Sequence, residues 1–177
     1  MKKLFLALLL LAIIAYFSAC EKDDICVEGD TPLLVIGFYD VDDPTAFKTV
    51  SLLRIRALLE SANDTTLNNA EDFGFTDRSN VIDSIQIPLQ IAESKTTFAF
   101  ISASEDDDEG NETGIADTLE FSYTVNEKFI SRACGFVANF NDLAITRQVS
   151  TSDWIKDIIV READVELSNT IHVQIFH

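Results

Sequence analysis

Cations, glycine, histidine and tryptophan are all scarce in this chain. Thirteen Lys and Arg stand against 30 Asp and Glu, and there are six glycines, two histidines and one tryptophan. Each shortage narrows the function. A surplus of carboxylates repels phosphate, which excludes nucleic acid as a partner, because such binding rests on Lys and Arg. It also opposes electrostatic adsorption to anionic lipid. Six scattered glycines form no phosphate-cradling loop. His172 and His177 make no H-x-x-x-H pair and join no Cys/His cluster, so transition-metal ligation has little to rest on. No G-x-S-x-G elbow marks a nucleophile. Carboxylate pairs are too numerous to single out a glycosidase. No apolar run reaches the roughly 18 residues of a membrane span.

The longest apolar run, Leu4–Phe17, is nevertheless the most informative stretch. It follows Met1-Lys2-Lys3 and leads into Ser18-Ala19-Cys20. Its 14 residues span roughly 21 Å as a helix, short of the roughly 30 Å hydrocarbon core. That length fits the apolar region of a secretory signal peptide over 1–19. Ser18 and Ala19 supply the small side chains that cleavage requires. Cys20 is then the acceptor for a diacylglyceryl group, and its freed amine for a fatty acyl chain such as palmitate. More than one chain is needed for stable anchoring, at about 0.8 kcal/mol per buried CH₂. Phe17 is bulkier than the Leu usual at that place. An ordinary secreted protein with a cysteine at the cut is the plainer alternative.

Cleavage leaves 158 residues, enough for one domain with a sizeable core, and 11 cations against 30 acids, a net charge of −19. Residues 20–31 read as a short acidic tether and 32–177 as a single domain. Cys26 and Cys134 remain besides the anchor. Export implies an oxidising compartment, so a Cys26–Cys134 disulfide is expected, with two free buried thiols as the alternative. The bridge closes a loop of about 107 residues and is worth up to about 4–5 kcal/mol in the chain-entropy picture. It also holds the domain within roughly 20 Å of the bilayer, given about 3.3–3.6 Å per tether residue.

Period-2 patterning dominates the rest. Leu33–Tyr39 is a continuous apolar strand. Val50–Leu58 sets Leu53, Ile55 and Ala57 against Arg54 and Arg56, an alternation that favours strand over the helix that the content of Leu52–Ser61 also allows. Val81–Leu89 aligns Ile85, Ile87 and Leu89, with Pro88 marking an edge or strand end. Thr96–Ser102 is a short buried strand. Thr118–Val125 turns Leu119, Phe121, Tyr123 and Val125 inward. Lys128–Phe140 reads as one long or bent strand with Gly135 as its bulge. Ala144–Val149, Trp154–Arg161 and Thr170–Phe176 complete about nine strands. The expected fold is all-β, an antiparallel β-sandwich of seven to nine strands, Ig-like or transthyretin-like. Glu60–Asn80 and Ala103–Asp117 are expected as long loops, where binding tends to sit.

The acidic stretch Glu105–Glu112 is the best candidate for chemistry. Clustered carboxylates around a glycine turn suit Ca²⁺, which takes six to eight oxygens, and Asp106, Asp108 and Glu112 are the candidate ligands. Gly110 falls one position early for an EF-hand, so a solvated loop without cofactor is the plainer reading. Asp40, Asp42 and Asp43 form a second acidic group. Trp154 is expected to pack in the core or at an edge, with sugar stacking as the alternative. His172 is expected on a strand's solvent face, opposite Ile171, Val173 and Ile175.

Three patches carry a resemblance: Cys20–Cys26 with Thr31-Pro32-Leu33 and Phe38-Tyr39-Asp40; Ser131–Phe136; and Ile171–His177. Together they resemble a Bacteroidetes lipoprotein family built on a domain of unknown function. The resemblance implies an anchored β-rich domain and brings no assigned activity. In that group, Glu21, Lys22, Asp23 and Asp24 resemble the signal that exports lipoproteins to the outer surface; a solvated tether facing the periplasm is the alternative. The expected function is a non-enzymatic binding or interaction module of the cell envelope, held at the outer membrane through Cys20 and meeting an envelope protein or a glycan. The alternatives are an accessory subunit for envelope assembly and a carboxylate-dependent hydrolase.

Overall fold

The computed structural model describes residues 31–58, 78, 81–132, 134–148 and 153–177. Eight strands lie among them: β1 (Leu34–Tyr39), β2 (Arg54–Leu58), β3 (Ser84–Ile87), β4 (Lys95–Asp106), β5 (Glu112–Ser131), β6 (Gly135–Arg147), β7 (Asp157–Val160) and β8 (Val173–Phe176). They form two four-stranded sheets, ordered β3-β1-β8-β7 and β2-β4-β5-β6. The fold is an all-β sandwich, as the period-2 patterning requires.

By its internal packing the chain divides into two compact units. Asp30–Lys128 with Val137–His177 holds the sandwich core. The described part of the other unit is 129–132 and 134–136, where β5 gives way to β6.

The core follows the alternation residue by residue. Ile55 and Ala57 of β2, Ile85 and Ile87 of β3, and Leu119, Phe121 and Tyr123 of β5 are buried. Phe98, Phe100 and Phe121 pack edge-on or tilted, at centroid separations of 6.0–6.5 Å. Every residue of β1 is buried, as its unbroken apolar run implies for an interior strand.

Four features depart from the sequence reading. The β1–β8 pair is parallel, with Ile36 opposite Val173 and Tyr39 opposite Phe176, so one sheet is mixed. Ala103–Asp117 is not a long loop: β4 and β5 run on to Asp106 and Glu112. Ala103 and Ser104 oppose Gly114 alone, a β-bulge that carries the pairing past the end of the apolar pattern. Lys128–Phe140 is not one strand, because the chain reverses between Ser131 and Gly135, where Gly135 has φ +71°. Ala144–Val149 is no separate strand; its described part continues β6 to Arg147. Glu60–Asn80 lies outside the described residues apart from Arg78.

Candidate functional site

The sequence singled out the acidic turn, and three of its carboxylates, those of Asp106, Asp107 and Glu112, are engaged within the fold. Asp107 Oδ1 accepts the N–H groups of Glu109 (2.9 Å) and Asn111 (2.8 Å), and the Asp107 carbonyl accepts that of Gly110. These bonds build the turn and hold the Asp107 carboxyl below the usual aspartate range, the Asn111 backbone bond contributing most. Both carboxylate oxygens of Asp106 accept from the Arg78 guanidinium, which likewise lowers its pKa. Glu112 turns the other way. It accepts from Arg56 Nε at 2.7 Å and Ser104 Oγ at 2.6 Å, with Arg54 Nε at 3.5 Å.

The bulge makes this cluster. It places Ser104 where its hydroxyl donates to Glu112 and accepts from Arg78 Nε at 3.1 Å. Arg54 and Arg56 reach it because they alternate with the core residues of β2. The calcium candidates Asp106, Asp108 and Glu112 therefore do not converge: two are engaged with arginines, and Asp108 stands exposed in the turn. Among the described residues no group of three or more His, Cys, Asp or Glu is placed to hold a metal ion.

In the second acidic group, Asp40 and Asp43 cap their own turn through Asp42 N–H and Thr45, and both are held below the usual range by those bonds first. A shallow groove over β1 and β3 is lined by Val35, Ile82, Ser84, Ile85 and Gln86, none of them charged.

His172 is not on a solvent face. It is 1% exposed and precedes β8, because the strand begins only at Val173. Its backbone N–H donates to Val35 O at 2.9 Å, while its Nδ1 accepts from Val35 N at 3.1 Å. Its carbonyl takes the N–H of Arg161 at 2.7 Å. Burial pushes its pKa down, against smaller upward pulls from Glu162 and from backbone bonds to Leu167 and Val35. Trp154 packs inside, as expected, and its Nε1 donates to Phe100 O at 3.0 Å.

Of the remaining sequence candidates, Cys20, Glu21, Lys22, Asp23, Asp24 and Cys26 lie outside the described residues. Cys134 is in the β5–β6 turn, its N–H donating to Ser131 Oγ at 3.0 Å. The strand ends that flank this turn hold the best candidate surface for an interaction. Phe129 and Phe136 are 54% and 67% exposed, and their rings meet edge to face at 5.2 Å. Sequence reasoning missed this pair because it assigned both residues to one long or bent strand, with Gly135 as a bulge and no reversal. The turn is marked only by Ser131 and Gly135.

A family model matches residues 52–177, described as a family of unknown function, DUF6452. The chain belongs to that family. No curated protein and no solved structure matches it. The DUF6452 match takes in β2 to β8, including the bulge, the Glu112 cluster and the β5–β6 turn. Strand β1, although interior to its sheet, precedes the matched stretch.

Proposed function

We propose that this DUF6452 chain is a lipid-anchored envelope protein whose β-sandwich acts as a non-enzymatic interaction module. One observation carries the reading: Leu4–Phe17 runs into Ser18-Ala19-Cys20, an apolar segment too short to span a bilayer and ending at a cysteine that can take lipid. Glu21–Asp24 directly after that cysteine favour the outer surface of the outer membrane. The mature net charge of −19 leaves the lipid to supply the anchoring.

A bridge between Cys26 and Cys134 belongs to the same proposal. It is supported by the two cysteines that remain besides the anchor in a chain whose proposed export leads to an oxidising compartment. The exposed Phe129–Phe136 pair is the surface such a module would present to a partner.

Metabolic labelling with an alkyne-tagged fatty acid tests the anchor. The parent chain takes up label and sediments with membranes, and Cys20→Ala does neither. Equal membrane retention of the unlabelled variant would sink the reading. Protease treatment of intact cells then reports the face. Digestion alongside a cleaved surface control is expected, and full protection would place the domain in the periplasm.

A further inference from the structure

We propose that the β5–β6 turn is a membrane-docking element, with Phe129 and Phe136 entering the interfacial layer of the same bilayer that holds the lipid on Cys20. This inference rests on the anchored reading above.

Three observations point to a lipid surface as the occupant. The first is apolar exposure. Two phenyl rings more than half exposed flank one turn, Phe129 at the end of β5 and Phe136 at the start of β6, and pair with each other. Aromatic rings of this kind sit at the boundary between headgroups and acyl chains, where an apolar body can leave water.

The second is charge. The chain carries more than two acids for every cation, yet Lys128 to Asn141 contains no Asp or Glu and two cations, Lys128 and Arg132. Arg132 is exposed between the two rings in sequence. A carboxylate-rich surface is repelled by anionic headgroups, whereas an acid-free, cationic stretch is not.

The third is chain length. Cys134 is two residues from Phe136 and five from Phe129. If it is bridged to Cys26, only five residues separate that bridge from Cys20, a reach of roughly 20 Å. So short a link turns a weak contact between ring and bilayer into an intramolecular one. The lipid supplies residence on the membrane, and the two rings add a second point of contact.

Brominated-lipid quenching of a tryptophan placed in the turn tests this. The full-length chain is purified from membranes, its N-terminal lipid verified by mass. It is then bound to phosphatidylethanolamine–phosphatidylglycerol vesicles with brominated acyl chains. Parent, Phe129→Trp and Phe136→Trp proteins are compared; both positions are exposed, and matched melting curves establish that each variant folds. Trp154, 8% exposed, supplies the background that the parent measures. On vesicles the new indole is expected to shift to the blue and lose most of its emission to bromine, while the parent loses little. A chain that floats with vesicles but shows neither change overturns the docking and leaves the anchor standing. A blue shift without bromine quenching, growing with protein density on the vesicle, assigns the surface to a second copy and also overturns it. A chain that does not float at all overturns both readings.

Discussion

Asp117 holds the backbone at Trp154 and so ties one sheet to the approach of the other. Its Oδ2 accepts the N–H groups of Trp154 at 2.9 Å and Ile155 at 3.0 Å. Asp117 lies in β5 of the second sheet, and Ile155 is two residues before β7 of the first. Both N–H groups are buried and make no strand ladder there, so the carboxylate satisfies donors that water cannot reach. Asp117→Ala is expected to cost about 2–4 kcal/mol, since each buried donor left unpaired costs about 1–3. Asp117→Asn keeps an acceptor oxygen and should cost less. Urea denaturation with an unchanged slope measures both. An alanine variant within about 0.5 kcal/mol of the parent would mean the contact is dispensable.

Stability should fall as the medium turns mildly acidic, before carboxylates begin to titrate. Burial lowers the pKa of both His172 and His177 below 6.5; Asp40 pulls upward on His177, and Lys48 acts in both directions. A histidine held neutral in the native state binds fewer protons than in the unfolded chain. Its contribution is therefore fully present above about pH 6.5 and is lost as pH falls below that value. Protonation of His172 at Nδ1 would also remove the acceptor for Val35 N–H. Carboxylates held low, such as Asp106 and Asp107, act only below about pH 4. Denaturation midpoints at about pH 8 and about pH 5.5 should differ, and His172→Gln should shrink the difference. Identical midpoints at the two values would contradict this.

Two glycines in the β4–β5 hairpin should respond very differently to alanine. Gly114 has φ +114°, and a Cβ there would lie 2.7 Å from Ser102 O and 2.9 Å from Ala103 O, both rigid backbone of the bulge. Gly110 has φ +82° with nothing within 4 Å of a Cβ. Gly110→Ala should cost about 1 kcal/mol, the intrinsic penalty of that conformation. Gly114→Ala adds a clash and should cost about 2 kcal/mol or more. Equal melting shifts for the two variants would show that the bulge rearranges freely.

The acidic turn should behave as structure. Glu112→Ala removes the acceptor shared by Arg56 and Ser104 and the nearby charge that faces Arg54, and is expected to cost about 2–3 kcal/mol. Asp108→Ala, at an exposed position, should stay within about 0.5 kcal/mol of the parent. Millimolar calcium should leave the melting temperature of the parent unchanged. A calcium-dependent rise that Asp108→Ala abolishes would restore the metal reading.

The legible part of the fold was the part written in alternation. Ile85 and Ile87, Leu119 and Phe121, and Ile55 and Ala57 each declare a face, because a strand that buries one side must place apolar residues at every second position. The same logic failed where apolar residues continue through a reversal, as at Ser131–Gly135, and where pairing continues through residues that bury nothing, as at Glu105–Glu112. The first hid the exposed Phe129–Phe136 pair, and the second made a hairpin look like a loop. His172 defeated the pattern for a related reason. It falls just before the strand, where alternation no longer says which way a side chain points.

What the sequence by itself determined is local: the short apolar run that precedes Ser18-Ala19-Cys20, the charge, the β class and the inward faces of its strands. These follow from side-chain hydropathy at fixed chain spacing, and they need no partner. What only the tertiary structure decided depends on residues far apart in the chain: the parallel β1–β8 pair, the Asp117–Trp154 tie, and the arginines that take up Asp106 and Glu112. Which donor meets which carboxylate is set by sheet order and register, so Asp106 and Glu112, two of the three candidate metal ligands in the sequence, are counter-ions of arginines in the fold.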